Sequence, residues 1–178
     1  MRIEPITVET LEPYLQHLER QVAESGRHGL PIFNPLPRAQ RPLAEHLRSE
    51  RERGLATPLD QPIWRRMWGA WDGDRVVGGS ELCGPPYPTE LHRATFSLGL
   101  ERSHYGRGLA MALCDAVLAW VRADTSIAYL DLAVFASNTP ALRLYERLGF
   151  ERVGMIEDRY RVDGERVDDV LMTHRIVR

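Results

Sequence analysis

The 178-residue chain lacks several features that would point to particular functions. It has only two cysteines, Cys83 and Cys114, too few for a disulfide framework, and both read as buried thiols. Its formal net charge is −2, so there is no excess of positive charge to suggest nucleic acid as a partner. No long apolar run and no signal peptide are present, so a cytoplasmic protein with no membrane contact is expected. The six histidines show no metal-ligand spacing, and no metal is expected. There is no internal repeat and no low-complexity tract. The length suits one domain over residues 1–178 with a proper core.

What is present is concentrated between Leu98 and Phe150. The stretch Leu98-Gly-Leu-Glu-Arg-Ser-His-Tyr-Gly-Arg-Gly-Leu-Ala110 reads as a strand, a turn holding Gly106 and Gly108, and a helix running to about Ala123. The first N–H groups of a helix have no partner within it, and the helix dipole adds partial positive charge there. Two glycines let the backbone approach a phosphate with no Cβ in the way, and Arg107 between them adds a formal charge. The spacing therefore suggests a pyrophosphate cradle. A Gly-Lys-Ser/Thr ending is absent, which excludes a P-loop. A dinucleotide-binding turn would want a third small residue where Met111 stands, and Asp131 falls inside a strand rather than at its end. An ordinary strand-turn-helix with glycines at the turn is the alternative.

The second segment is Asn138-Thr-Pro-Ala141-Leu-Arg-Leu-Tyr145-Glu-Arg-Leu-Gly149-Phe150, after a strand over Ile127 to Phe135. Asn138 or Thr139 suits a helix cap, Pro140 its first turn, and Gly149 its end. Together the two segments resemble the GNAT N-acetyltransferase superfamily. Tyr105-Gly-Arg-Gly108-Leu-Ala110 is similar to its pyrophosphate motif, with Tyr105 where Arg or Gln is usual. The second segment is similar to its Asn-x-x-Ala-x-x-Leu-Tyr-x-x-x-Gly-Phe motif. The resemblance implies an α/β (α+β) fold: a mixed central sheet of about six to seven strands flanked by about four helices. It also implies acetyl-CoA as acyl donor and a small-molecule amine as acceptor. A non-catalytic module that binds acetyl-CoA is the alternative.

The other elements follow from pattern. Met1 to Ile6 reads as a strand and Val8 to Glu24 as an amphipathic helix, followed by a broken loop over Gly26 to Arg38. Ala39 to Arg53 reads as a second helix, with the charge run Arg48 to Arg53 as a solvated face. Met67 to Trp71 and Arg75 to Cys83 form a hairpin, and Leu91 to Leu100 is the central strand. Arg152 to Ile156 and Val167 to Arg175 close the sheet, joined by an arm that turns at Asp163-Gly164.

The resemblance assigns roles residue by residue. Tyr105, Gly106, Arg107, Gly108, Leu109 and Ala110 form the cradle. Leu98, Gly99 and Leu100 pair with the pantetheine arm, and Gly99 reads either as a strand bulge or as a plain strand glycine. Asn138 suits the pantetheine amides. Tyr145 is the catalytic residue at the leaving thiol, since a neutral phenol can stabilise or protonate a thiolate whose reference pKa is about 8.5. A primary amine with a pKa near 10.4 needs about 4–5 kcal/mol to be neutral at pH 7, so a base or water must take its proton. Glu81 is the first choice, with His92 and Glu90 next. Asp131 is a weak substitute for a glutamate that stands at the position of Ala133 in members acetylating protein N-termini. Phe33, Tyr87 and Trp68 suit apolar walls for the acceptor, and Arg159, Tyr160 and Arg161 a carboxylate grip. The closing strands and Trp64 to Trp71 suggest a homodimer.

Overall fold

The computed structural model describes residues 1–37, 39 and 44–177, with backbone only at 44–46 and 124. The chain opens with β1 (Arg2–Pro5) and α1 (Leu11–Glu24). Leu11, Tyr14 and Leu15 recur at helical spacing and are buried, which fixes the inner face of α1. The helix starts three residues later than its apolar pattern suggests. A Thr7–Thr10 turn precedes it, the Thr7 N–H donating to Thr10 Oγ1 at 2.9 Å. The second helix, α2, spans Ala44–Ala56. Ala39 lies in a turn; the rest of its expected start, residues 40–43, is outside the described residues.

Two strands follow, β2 (Arg65–Asp72) and β3 (Arg75–Cys83), then β4 (Arg93–Leu100), α3 (Leu109–Asp124), β5 (Tyr129–Phe135) and α4 (Thr139–Arg147). The closing strands β6 (Glu151–Val162) and β7 (Glu165–Arg175) are longer than their apolar cores suggest. The arm between them is their own hairpin, turning at Asp163 and Gly164, both at positive φ (50° and 85°), as a tight two-residue hairpin turn requires.

The seven strands form one sheet in the order β1-β2-β3-β4-β5-β7-β6. Only β4 and β5 run parallel. The mixed sheet and its four helices bear out the expected fold class. One face carries α1, whose Leu11, Tyr14 and Leu15 pack on Met67, Trp71 and Val76. The other carries α3 and α4: Leu113, Val117 and Val121 join Leu142 and Tyr145 over Leu82, Phe96, Leu130 and Leu132. Each large apolar side chain buried this way contributes about 1.5–3 kcal/mol. No helix among the described residues is long and apolar enough to cross a membrane.

The tryptophans correct two expectations. Trp64, Met67, Trp68 and Trp71 are all buried, and the Trp68 ring meets Trp120 of α3 edge-on at 5.4 Å. Trp68 therefore belongs to the core rather than to an acceptor wall, and the apolar side chains of Trp64 to Trp71 offer no surface for a dimer. The charge run of α2 is not simply a solvated face either. Arg51 is buried, because the sheet beneath it presents a carboxylate.

Candidate active site

The sheet splits at its centre. β4 pairs with β5 only through Arg93↔Tyr129, Ala94↔Leu130 and Thr95↔Asp131. Beyond Thr95, β4 stays on β3 as far as Leu100↔Gly78, while β5 stays on β7 as far as Phe135↔Asp169. A cleft opens between residues 96–100 and 132–135. Glu101 N–H donates to the Val77 carbonyl at 3.0 Å, which sets the parity of β4: backbone groups of odd-numbered residues face β3. The Phe96 N–H closes the last parallel pair on the Asp131 carbonyl; the Phe96 C=O and the N–H and C=O groups of Leu98 and Leu100 therefore face the cleft, unpaired by strand. Gly99 is no bulge: it pairs with Gly79 in unbroken register, and its backbone groups are turned to β3. Its missing side chain serves α1 instead, since a Cβ there would run into the Gln21 carboxamide.

At the wide end of the cleft, Gly106 and Gly108 adopt φ of 73° and 76°, left-handed values that favour glycine. No atom lies within 4 Å of the point where either Cβ would sit, so the concavity is open. Leu109 is buried and pins the start of α3 to the core, while Arg102 and Arg107 stand exposed beside the turn. Gly108 caps α3 without a side chain, leaving the first helical N–H groups pointing out. On the other bank, Asn138 caps α4: its Oδ1 accepts from Ala141 N–H at 3.3 Å, and its carboxamide N–H groups bond nothing among the described residues.

Tyr145 projects from α4 to the root of the cleft, its ring edge-on to Phe96 at 6.2 Å and to Phe150 at 5.7 Å. It is buried, yet its hydroxyl bonds no group among the described residues. Burial, and secondarily the nearby Cys114, pushes its pKa well above the ordinary tyrosine value, so the phenol stays a donor. Burial also drives the Cys114 thiol up to about 12, leaving it inert.

Residues 37–150 match the acetyltransferase (GNAT) family. This chain belongs to that family. L-amino acid N-acetyltransferase AaaT of Escherichia coli is 31% identical over 117 residues, 64% of this chain and 69% of that protein. N-alpha-acetyltransferase RimI of Mycobacterium tuberculosis is 34% identical over 116 residues, 63% of this chain and 65% of that protein. Among solved structures, yncA of Salmonella typhimurium with its cofactor acetyl-CoA superposes with a TM-score of 0.79 at 14% identity, covering 100% of this chain and 95% of that one. This GNAT acetyltransferase uses acetyl-CoA as acyl donor, and its open glycine turn, free helix N–H groups and exposed arginines fit a pyrophosphate.

The remaining candidates of this GNAT chain lie in less free settings. Tyr105 is exposed at the head of the turn, its phenol raised by burial and then by the charge of Glu24. Glu81 is buried under α2, accepting from Arg51 at 2.9 Å and, closely, from Arg65. His92 is exposed, edge-on to Tyr129 at 6.3 Å, and Glu90 is exposed in the short helical turn Pro88–Glu90. Asp131, at the last β4–β5 pair, is held by Arg93 Nε at 2.7 Å and by the Thr173 hydroxyl at 2.8 Å. The expected carboxylate grip is occupied from within: Arg159 pairs with buried Asp169 at 3.0 Å, and Arg161 with Asp158. Tyr160 packs its ring on Phe135 at 5.5 Å. Phe33 is half-buried with its N–H on Ser25 Oγ, and Tyr87 is exposed. Sequence reasoning missed the parity of β4 and the exposed Thr95, Ser97 and Ala133, which floor the cleft on the face opposite α3 and α4. The alternation of Ala94, Phe96 and Leu98 with Thr95 and Ser97 was the signal for it.

Proposed function

We propose that this enzyme transfers the acetyl group of acetyl-CoA to the primary amine of a small-molecule or amino-acid-like acceptor, by direct attack with both substrates bound. The carrying observation is the unbonded Tyr145 hydroxyl at the root of a cleft whose far end is the open glycine turn. The Gly106–Ala110 backbone and Arg107 hold the phosphates, with Tyr105 in place of the usual Arg or Gln. Cleft-facing N–H and C=O groups of Leu98 and Leu100 take the pantetheine amides from one bank, and the Asn138 carboxamide takes them from the other. Gly99, whose backbone is committed to β3, keeps only a packing role.

Acetyl-CoA supplies an activated carbonyl with a thiol leaving group. The chain's part is to receive the amine over Thr95, Ser97 and Ala133, and to donate a hydrogen bond from Tyr145 as the C–N bond forms and the C–S bond breaks. Tyr145, held neutral by burial, stabilises the departing thiolate. The amine proton leaves through water. Glu81, sandwiched between two guanidinium groups, is reassigned to structure. AaaT and RimI are named for N-acetylation of amino acids or N-alpha groups, which supports an α-amine-like acceptor. Membership in an N-acetyltransferase family supports the enzyme reading over a binding module.

The test is free-thiol release from acetyl-CoA across a panel of amino acids, their amides and simple amines. Amine-dependent acceleration is expected, strongest for α-amino compounds. Tight acetyl-CoA binding with no acceleration by any amine would leave a binding module only.

A further inference from the structure

One face of α1 is polar where a helix lying against a sheet would be apolar. His17, Arg20, Gln21 and Glu24 stand at i, i+3, i+4 and i+7; His17, Arg20 and Glu24 meet the short segment between β4 and the glycine turn, and Gln21 lies over Gly99 within β4. Glu101, the first residue past β4, is buried. It accepts from Arg20 Nε at 2.8 Å and from Arg75, and lies 3.3 Å from Nδ1 of the fully buried His17. Arg20 also donates to the Val76 carbonyl at 2.9 Å, tying β3 to the same point. One residue on, Arg102 N–H donates to Glu24 Oε2 at 2.9 Å. Glu101's own carbonyl accepts from His104 N–H at 2.9 Å, forming the short helical turn Arg102–His104. The first left-handed glycine comes only two residues later.

We infer that α1 is a strut that positions the acetyl-CoA phosphate turn, with Glu101 and Glu24 as its positioning residues. The turn has little of its own to hold its shape: Tyr105 through Gly108 are exposed and two of the four are glycines. N–H groups that must converge on a phosphate need a rigid root, and hydrogen bonds at Glu101 and Arg102 supply one. A carboxylate is also an odd choice beside an anion site. By Coulomb's law both glutamates oppose the phosphates, so their gain must be geometric. The sign of the effect therefore separates the two accounts.

The inference rests on the Gly106–Ala110 turn as the phosphate site, and the experiment separates the two. Acetyl-CoA is titrated calorimetrically into the full chain and its Glu24→Ala, Glu24→Gln, Glu101→Gln and Gly108→Val variants, with thermal unfolding as a check on folding. Glu24→Ala is expected to weaken binding about fivefold, the effect of one hydrogen bond. Glu24→Gln, which keeps an accepting oxygen, is expected to restore it, and Glu101→Gln to weaken it by about tenfold or more. In turnover, KM for acetyl-CoA rises while kcat holds. Unchanged or tighter binding by Glu24→Ala overturns the strut, whether or not Glu101→Gln folds. If Gly108→Val also leaves affinity unchanged, the phosphate assignment itself falls.

Discussion

The Glu81 carboxylate on β3 accepts a hydrogen bond from the Arg51 guanidinium of α2 at 2.9 Å, inside the layer between helix and sheet. Arg65 grips the same carboxylate and also reaches Cys83 Sγ at 3.1 Å, and burial with the adjacent Glu81 charge pushes that thiol up to about 12. Glu81→Gln leaves the buried Arg51 without its counter-charge and Arg65 with Glu50 alone. Breaking a buried pair in this way costs about 3–5 kcal/mol. A large drop in thermal stability is expected, with the pH–rate profile of the folded fraction unchanged. A lost acidic limb in that profile would restore Glu81 as the base.

Tyr145→Phe keeps the ring contacts to Phe96 and Phe150 and deletes only the donor. The maximal rate is expected to fall by about 10²-fold, the lower end of what a positioned proton donor supplies, while acetyl-CoA affinity holds. Because burial raises the phenol pKa, Tyr145 stays protonated through pH 10, so the parent enzyme should lose no rate on its account as pH rises. Steady-state kinetics with chemistry shown to be rate-limiting provide the check.

Glu101 carries the clearest pH signature. Its arginine and histidine partners outweigh the cost of burial and hold its pKa down at about 2. A depressed folded-state pKa means stability that is present above about pH 4.5 and is lost as pH falls toward 2. The linked free energy is on the order of 3 kcal/mol. Acid titration followed by circular dichroism should show Glu101→Gln less stable than the parent at pH 7, with the gap closing below about pH 4.

β6 is an edge strand that exposes Val153, Met155 and Ile156, at 62%, 54% and 40%. A homodimer through this edge is expected, now without the buried tryptophans. Light scattering at micromolar concentration should give twice the chain mass, and Met155→Glu should return a monomer. A monomeric parent would end the idea.

What could be read in the sequence was local. The glycine turn and the Asn138–Phe150 segment each lie within a strand-turn-helix or helix-to-strand junction, where capping and φ preferences act over a few residues. The hairpin at Asp72–Asp74 was legible for the same reason. The ion pairs were not. Arg51 and Glu81 are 30 residues apart, Arg20 and Glu101 are 81, and a charge run gives no sign of which member a sheet will bury. Glu81 therefore reads from sequence as available for catalysis, whereas in the fold Arg51 and Arg65 hold it. The tryptophans misled similarly: apolar bulk reads alike whether it covers a core or a partner.

The parity of β4 sets two properties that differ in what they ask of the sequence. Leu98 turns its side chain into the α3–α4 core and its backbone edge to the cleft, while Ser97 and Gly99 do the reverse. Sliding this strand by one residue would place a serine in the core and carry Leu98 to the exposed face, yet the backbone groups of Ser97 and Gly99 would take the cleft-facing positions. The cleft edge is made of groups that every residue here carries, whereas the core face is made of side chains that only this register supplies. An insertion or deletion in this strand therefore strikes folding first.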